Sequence, residues 1–229
     1  MMEFILLDLD DTILDFGMAE RIALSETLKE LGVEPTDDVV CRYHEINRQH
    51  WERLERGEIT RAQVLTGRFH VLFEEMGKSI DASDTAKKYE HNLGIGHFFL
   101  PGAEEAIRQL SRTYRLFLVS NGTASVQHSR MTSAGLYPYF EKVFISQEIG
   151  YDKPSKAYFD RCFQEIPNFR REKAIIVGDS LTSDILGGIN AGIRTCWVNP
   201  KHLPVRADIK PDYEIESIAQ LDDLLKRIK

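Results

Sequence analysis

Four short polar clusters along the chain carry residue types that bind phosphate groups and metal ions. The clusters are Asp8-Leu9-Asp10-Asp11-Thr12, Ser120-Asn121-Gly122, Lys153-Pro154, and Gly178-Asp179-Ser180 with Asp184 shortly after it. Each comes at the end of a short apolar run or in the loop that follows one. Carboxylates that approach one another repel unless a cation is present. The clusters therefore predict a cation site with a lysine and a hydroxyl group beside it, provided that the fold brings them together.

The predicted cation is Mg²⁺, because no histidine or cysteine joins the clusters and their ligand atoms are all hard oxygens. Protein-bound Mg²⁺ commonly contacts a substrate phosphate, so the predicted substrate is a small phosphorylated metabolite. Lys153 can neutralise one phosphoryl oxygen, and Ser120 can donate a hydrogen bond to another. An aspartate next to the phosphorus can attack it as a nucleophile. A second aspartate two residues later can exchange a proton with the leaving oxygen and with water.

Short apolar runs that alternate with amphipathic stretches indicate the elements that position these clusters. The runs are Phe4–Leu7, Leu116–Val119, Val143–Ile145, Ala174–Val177 and Thr195–Val198. Unbroken apolar runs are typical of parallel strands that are covered on both faces. Strands that alternate with helices predict an α/β fold with a doubly wound, Rossmann-like parallel sheet. Ligands bind beyond the carboxyl ends of such strands, so we expect the polar clusters to meet at one edge of the sheet.

One segment, residues 17–93, breaks this alternation. It contains four stretches of helical periodicity and no strand-like run. We therefore predict a core domain formed by residues 1–16 and 94–229, with an α-helical bundle formed by residues 17–93 inserted into it. The aromatic residues Tyr43, Trp51 and Phe69 recur at helical spacing and are predicted to pack in the core of the bundle.

The composition is that of an ordinary globular protein and excludes several kinds of partner. The chain has 229 residues, 42% hydrophobic and 28% charged, with a formal net charge of −7. A nucleic-acid polymer is not an expected partner, because it requires a concentrated basic face. No apolar run approaches the roughly 20 residues that span a bilayer, so no membrane partner is expected either.

Three cysteines without paired spacing and a short acidic start predict a cytoplasmic protein. Nothing in the sequence indicates an oligomeric state.

The four clusters resemble, in their order and separation, the four motifs of the haloacid-dehalogenase-like (HAD) hydrolases. The helical insert is similar to the C1 cap of that superfamily, and the resemblance covers nearly the whole chain. It implies that Asp8 is the nucleophile and that Asp10 is the general acid and base. It further implies that Mg²⁺ is held by Asp8, by the backbone carbonyl of Asp10 and by Asp179.

The same resemblance implies supporting roles for five other residues. Ser120, Asn121 and Lys153 would bind the phosphoryl group. Thr12 would help to orient Asp10. Asp184 would lie behind the metal ligands, toward Lys153 or a metal-bound water.

A finer resemblance concerns the noncanonical pyrimidine 5′-nucleotidases. It rests on the stretches Trp51…Gly57-Glu58-Ile59-Thr60-Arg61…Arg68-Phe69, Tyr151-Asp152-Lys153-Pro154, Gly178–Ile185 and Cys196-Trp197-Val198-Asn199-Pro200. The implied activity is hydrolysis of pyrimidine nucleoside monophosphates through an aspartyl-phosphate.

Other functions use similar clusters and stay open at this point. A phosphatase of another small phosphometabolite, such as a sugar phosphate or phosphoglycolate, or a phosphomutase, could share this core. Dehalogenases of the superfamily lack a carboxylate at the position of Asp10, which argues against hydrolysis of a carbon–chlorine bond. A receiver-type signalling module also gathers acids, a hydroxyl group and a lysine at strand ends. Chain order argues against that alternative, because receivers carry the acceptor aspartate on a strand in the middle of the chain, and here the run that ends at Ile145 leads to Ser146-Gln147-Glu148. Receivers also have no large helical insert.

Overall fold

The chain folds into two compact units, and the computed structural model describes residues 2–228. One unit combines the N-terminal residues through Phe16 with the chain from His97 onward. The other is the continuous segment Gly17–Gly96. The second boundary follows Gly96 because the last helix of the insert continues through Ile95.

The inserted unit is built from four helices. They are α1 (Phe16–Glu30, whose first residue belongs to the other unit), α2 (Asp37–Glu55), α3 (Arg61–Glu75) and α4 (Ala82–Ile95). The side chains of Thr36, Thr60 and Asp81 accept hydrogen bonds from the first turns of α2, α3 and α4. Such caps satisfy backbone N–H groups that have no partner within the helix. The sequence therefore specifies where these three helices begin.

The interior of the bundle is aromatic and also contains a buried charge. The rings of Tyr43, Phe69 and Tyr89 pack with centroids 5.1–5.5 Å apart, so Tyr43 and Phe69 lie in the bundle core as predicted. Trp51, predicted with them, is only partly buried. The Arg68 guanidinium lies 4.8 Å from the Tyr89 ring centroid and donates to Asn47 Oδ1 at 2.8 Å. Buried charges require such partners because desolvation is costly.

The other unit is built on a six-stranded sheet in which every pair of neighbours is parallel. The strands are β1 (Phe4–Leu7), β2 (Arg115–Ser120), β3 (Lys142–Ile145), β4 (Ala174–Gly178), β5 (Arg194–Val198) and β6 (Tyr213–Ile215). Their order across the sheet is β3-β2-β1-β4-β5-β6. This arrangement confirms the predicted α/β fold with a doubly wound parallel sheet.

Helices and loops cover both faces of this sheet. The helices are α5 (Ala103–Leu110), α6 (Ala124–Ser133), α7 (Ser146–Ile149), α8 (Lys156–Gln164), α9 (Leu186–Ala191) and α10 (Leu221–Arg227). Ile5 and Leu7 of β1 belong to one apolar layer, and Phe4 and Leu6 belong to the layer on the opposite face. Because side chains alternate between faces along a strand, two apolar layers require an unbroken apolar run. None of the helices described here is long and apolar enough to cross a membrane.

Two details of this unit differ from the sequence-based prediction. The strand β6 was not predicted, because its three residues, Tyr-Glu-Ile, form no recognisable run at the edge of the sheet. The amphipathic stretch Thr182–Ala191, which comes between the fourth and fifth apolar runs and predicts one helix, instead forms a π-helical turn, Leu181–Ile185, followed by α9. Single π-helical turns occur often at functional sites, and this one carries Asp184.

The three cysteines differ in accessibility, which leads to a first prediction. Cys162 and Cys196 are buried, and burial raises the pKa of each thiol to about 12, whereas Cys41 is exposed. Because the thiolate is the reactive form, we expect only Cys41 to react with a disulfide reagent in the native protein. The amount of thiolate that the reagent releases gives the number of reactive cysteines and checks this expectation. Cys41→Ser should leave no fast-reacting thiol, and urea should expose the remaining two. Rapid modification of a second native thiol would contradict the described packing.

Candidate active site

The carboxyl ends of three neighbouring strands bring the predicted catalytic residues together. Asp8 follows β1, Ser120 is the last residue of β2, and Asp179 follows β4. The Asp8 N–H donates to the Val177 carbonyl at 3.0 Å, so Asp8 continues the pairing between β1 and β4. Its carboxylate is therefore fixed at the point where the strand order reverses direction, which is the usual ligand-binding edge of such sheets.

Lys153 lies at the centre of the site and is only 2% exposed. Its Nζ donates to Asp8 Oδ1 at 2.6 Å, to Asp184 Oδ1 at 2.7 Å and to the Val119 carbonyl at 2.9 Å. Burial alone lowers the pKa of Lys153, but the carboxylates of Asp184 and Asp8 more than offset this and raise it above its usual value. All three ammonium protons are engaged, which fixes Lys153 beside the candidate nucleophile.

Asp8, Asp179 and Asp184 form a compact acidic group. One carboxylate oxygen from each lies within 4.8 Å of the others. Burial and the neighbouring carboxylates of Asp184 and Asp8 raise the pKa of Asp179 well above its usual value. For Asp8, burial raises the pKa, the Lys153 ammonium opposes the shift, and the carboxylates of Asp184 and Asp10 add to it. One ammonium group faces three carboxylates, and the donor atoms are all oxygen, so the group fits a hard divalent cation.

Asp184 reaches Lys153 because the chain at the end of β4 leaves room for its carboxylate. The Ser180 N–H donates to Asp184 Oδ2 at 3.2 Å, and Ser180 Oγ accepts from the Ser183 N–H at 3.1 Å. A Cβ atom on Gly178 would lie 2.2 Å from Asp184 Oδ2. Gly178 is therefore required by this close approach, since real Cβ contacts of this length do not occur.

This contact predicts the effect of Gly178→Ala. The added methyl group must displace Asp184, so we expect a loss of stability of about 1–3 kcal/mol, the range typical of overpacking, together with reduced activity. Urea unfolding checks the stability. In an Asp184→Ala background the same substitution should cost less, because the two closest atoms, Asp184 Oδ2 and Cγ, are gone and only the contact with Cβ remains. An equal cost in both backgrounds would show that the methyl group clashes elsewhere.

Asp10 is held by two residues that the sequence did not reveal. Gln127 Nε2 donates to Asp10 Oδ2 at 2.7 Å, and Arg130 Nη1 donates to Asp10 Oδ1. The Thr12 hydroxyl, which the resemblance placed beside Asp10, is buried and has no hydrogen-bond partner among the residues that the structure describes. Asp10 is therefore oriented by Gln127 and Arg130 and not by a hydrogen bond from Thr12. The signal available in the sequence was a polar pair three residues apart on one face of α6.

The Asn121 side chain supports the loop that carries Lys153. Its Oδ1 accepts from the Lys153 N–H at 2.8 Å, and its Nδ2 donates to the Lys153 carbonyl at 2.9 Å. The peptide bond between Lys153 and Pro154 is cis. Because both ends of the amide bind the Lys153 main chain, the contact between Asn121 and phosphate stays a prediction. Ser120, by contrast, lies at the strand end with its Oγ accepting from the Gly122 N–H at 3.1 Å.

A buried aspartate at a central strand end, with a lysine and two more carboxylates beside it, is an arrangement that suits a phosphoryl group and a divalent cation. The model of the haloacid dehalogenase-like hydrolase family matches residues 5–198. The chain belongs to this family. The predicted family is thereby confirmed, and the match together with the nucleotidase relatives that follow confirms the predicted enzyme class, a HAD-type phosphatase.

Similar proteins span almost the whole chain. A HAD-hydrolase of Bacillus subtilis, YfnB, is 39% identical and aligns with 96% of this chain and 94% of its own length. Its crystal structure, solved with bound magnesium, has a TM-score of 0.94 and covers 98% of both chains. The pyrimidine 5′-nucleotidase PynA of Streptococcus pneumoniae is 38% identical and covers 98% of this chain and 95% of its own length. The pyrimidine 5′-nucleotidase YjjG of Escherichia coli is 30% identical, with 97% of each chain covered.

Proposed function

We propose that the chain is a Mg²⁺-dependent phosphomonoester hydrolase that acts on pyrimidine nucleoside 5′-monophosphates through an aspartyl-phosphate on Asp8. The observation that carries the proposal is the contact of 2.6 Å between Lys153 Nζ and Asp8 Oδ1, with Asp184 on the same ammonium group. This arrangement keeps the buried Asp8 carboxylate beside a fixed positive charge. A phosphoryl group that approaches Asp8 therefore meets a cation that attracts its oxygens.

Magnesium is the cofactor that suits the acidic group. The proposed ligands are the carboxylates of Asp8 and Asp179 and the backbone carbonyl of Asp10. The structure of YfnB bound to magnesium supports the choice of metal. When bound, the ion neutralises part of the negative charge of the carboxylates and of the substrate phosphate. Asp184 stays behind the ligands, where it holds Lys153.

The proposed reaction uses two aspartates in two steps. An Asp8 oxygen attacks the phosphorus, and the bond from phosphorus to the leaving oxygen breaks while Asp10 gives that oxygen a proton. Asp10, now a carboxylate, takes a proton from the water that attacks the aspartyl-phosphate. Inorganic phosphate leaves, and the Asp8 carboxylate is restored. Ser120 is proposed to donate a hydrogen bond to a phosphoryl oxygen in both steps. Lys153, whose three N–H groups are engaged by protein oxygens, is proposed to attract the phosphoryl oxygens by its charge.

The proposed substrate class is supported by PynA and YjjG, whose names state a pyrimidine 5′-nucleotidase activity. Other small phosphometabolites are the second candidate class, because the residues around Asp8 bind the phosphoryl group and not the organic part. We propose the helical unit, residues 17–96, as the cap domain of the C1 type. The cytoplasm stays the predicted location.

Substrate profiling with detection of released phosphate tests the proposal. UMP, dUMP and dTMP should be hydrolysed with a higher kcat/KM than purine nucleotides, sugar phosphates and phosphoglycolate. EDTA should abolish all activities, and added Mg²⁺ should restore them, since the buried carboxylates need the cation. Equal activity across the panel would remove the nucleotidase assignment and leave the phosphatase. Absence of phosphate release from every monoester would remove both.

A further inference from the structure

Two residues of α6, Gln127 and Arg130, hold the proposed general acid and base from one side. Gln127 Nε2 contacts Asp10 Oδ2 at 2.7 Å, and the Arg130 guanidinium forms an ion pair with Asp10 Oδ1. The Arg130 side chain is completely buried, and Gln127 is buried as well. A buried guanidinium is costly to desolvate unless it is paired. α6 therefore buries an arginine whose desolvation must be offset by its ion pair with Asp10. A helix that only packs against the sheet needs no such pair.

The Gln127 amide also links Asp10 to Ser120. Its Nε2 donates to Ser120 Oγ at 2.8 Å as well as to Asp10, and its Oε1 accepts from Arg130 Nη1 at 3.2 Å. An arginine can only donate, so this last contact fixes which end of the amide is oxygen. The two N–H bonds of Gln127 Nε2 must then point one toward Asp10 and the other toward Ser120. One amide thus sets the orientation of the proton-transferring carboxyl group and of a proposed phosphate-binding hydroxyl group.

The neighbouring loop is shaped around this amide. A Cβ atom on Gly122 would lie 2.5 Å from Gln127 Nε2 and 2.6 Å from its Cγ and Cδ. Ser120 Oγ accepts from both the Gly122 N–H and Gln127 Nε2. A hydroxyl oxygen has two lone pairs, so these two contacts leave the Ser120 O–H proton available as a donor. The proton is then directed to another acceptor, such as a phosphoryl oxygen.

We propose that Gln127 and Arg130 are positioning residues for the two proton transfers of the reaction. The inference rests on the proposed function and extends it. In the first step Asp10 gives its proton to the leaving oxygen, and Arg130 stabilises the carboxylate that results. In the second step this carboxylate takes a proton from the water that attacks the phosphorus of the aspartyl-phosphate. Phosphate leaves, the Asp8 carboxylate is restored, and Asp10 again carries its proton.

The chemistry of the leaving group separates this role from a structural one. The alkoxide of a nucleoside 5′-phosphate is strongly basic and needs a proton as it leaves. The p-nitrophenolate anion is a weak base and leaves without one. A displaced Asp10 should therefore slow the first step for UMP but not for p-nitrophenyl phosphate. The second step needs the base with either substrate, so an aryl phosphate should accumulate the aspartyl-phosphate.

The test compares Arg130→Met and Gln127→Met with Arg130→Lys. Each Met variant should lower kcat for UMP by about 10²-fold, within the range of general acid–base catalysis, with little change in KM. With p-nitrophenyl phosphate, rapid mixing should show a burst of p-nitrophenolate that approaches one per active site, followed by slow turnover. Arg130→Lys keeps the charge and should recover part of the activity. Ser129→Ala, at an exposed position of the same helix, is the control and should behave as the parent.

Three outcomes would overturn the proposal. The first is an equal loss of kcat with UMP and with p-nitrophenyl phosphate, without a burst. The second is a change in KM with unchanged kcat. The third is full activity in both Met variants. Circular dichroism and urea midpoints check folding, and Gln127→Met carries the test by itself if Arg130→Met does not fold. Failure of the proposed function looks different, because it shows in the parent protein. The parent would not hydrolyse UMP in preference to other monoesters if it is not a nucleotidase, and would release no phosphate from either substrate if it is not a phosphatase.

Discussion

Asp8→Asn is expected to lower kcat for phosphate release by about 10⁴-fold or more, because an amide cannot replace the attacking carboxylate. The substitution keeps the shape of the side chain and removes one charge from a crowded acidic group. Lys153 keeps Asp184 and the Val119 carbonyl as partners. We therefore expect a folded protein with stability close to that of the parent and almost no activity.

Acid quenching during turnover gives a direct measurement of this effect. The parent should yield a protein-bound acyl phosphate that hydroxylamine releases, and Asp8→Asn should yield none. Asp160→Asn is the matched control, since Asp160 lies on α8 and pairs with Lys156 and Arg171 away from the strand ends. An Asn variant that hydrolyses phosphate esters at the parent rate would show that another residue is the nucleophile.

Lys153→Met is expected to affect both activity and stability. The ammonium group is buried and bridges Asp8 and Asp184, so its removal leaves two buried carboxylates without their counter-charge. Breaking a buried ion pair by removing one partner typically costs about 3–5 kcal/mol. We also expect a fall in kcat of roughly 10²–10³-fold, the size seen when one transition-state donor is removed. Urea unfolding and phosphate release measure the two effects.

A double variant distinguishes the loss of charge balance from a simple packing defect. In the Lys153→Met background, Asp8 and Asp184 are two buried carboxylates without a counter-charge. Adding Asp8→Asn removes one of these charges, so it should restore part of the lost stability. Lys156→Met is the matched control, because that lysine is exposed and pairs only with Asp160 among the ion pairs described here. Strictly additive stability losses in the double variant would contradict the electrostatic explanation.

The positions of Asp8, Ser120 and Asp179 could be predicted because a local rule fixes them. Each ends or follows an apolar run that is covered on both faces, and parallel strands place their carboxyl ends together. The rule needs no knowledge of side-chain packing. It holds here since β1 lies between β2 and β4, so the three strand ends are neighbours.

Gln127 and Arg130 could not be predicted in the same way. Their partner, Asp10, is more than a hundred residues earlier in the chain, and the contact depends on how α6 is rotated on the sheet. Amphipathic periodicity identifies which face of a helix is buried, but it does not say which polar side chain on that face meets which loop. Arg130 would have been expected at the surface, as most arginines are. Only the packed structure shows that its charge is matched by Asp10.

The place of β1 in the sheet has a consequence for how the protein is made. Phe4 pairs with Arg115 on one side and with Ala174 on the other, so the first strand of the chain acquires its second neighbour only after synthesis has passed Ala174. Closing such long loops comes late in folding, whereas the helices of residues 17–96 contact one another within one continuous segment. A growing chain thus carries Asp8 from the start but has no assembled acidic group until Asp179 and Asp184 have left the ribosome. The acidic group is completed late in translation, when, of the described strands and α-helices, only α9, β5, β6 and α10 are still to be added.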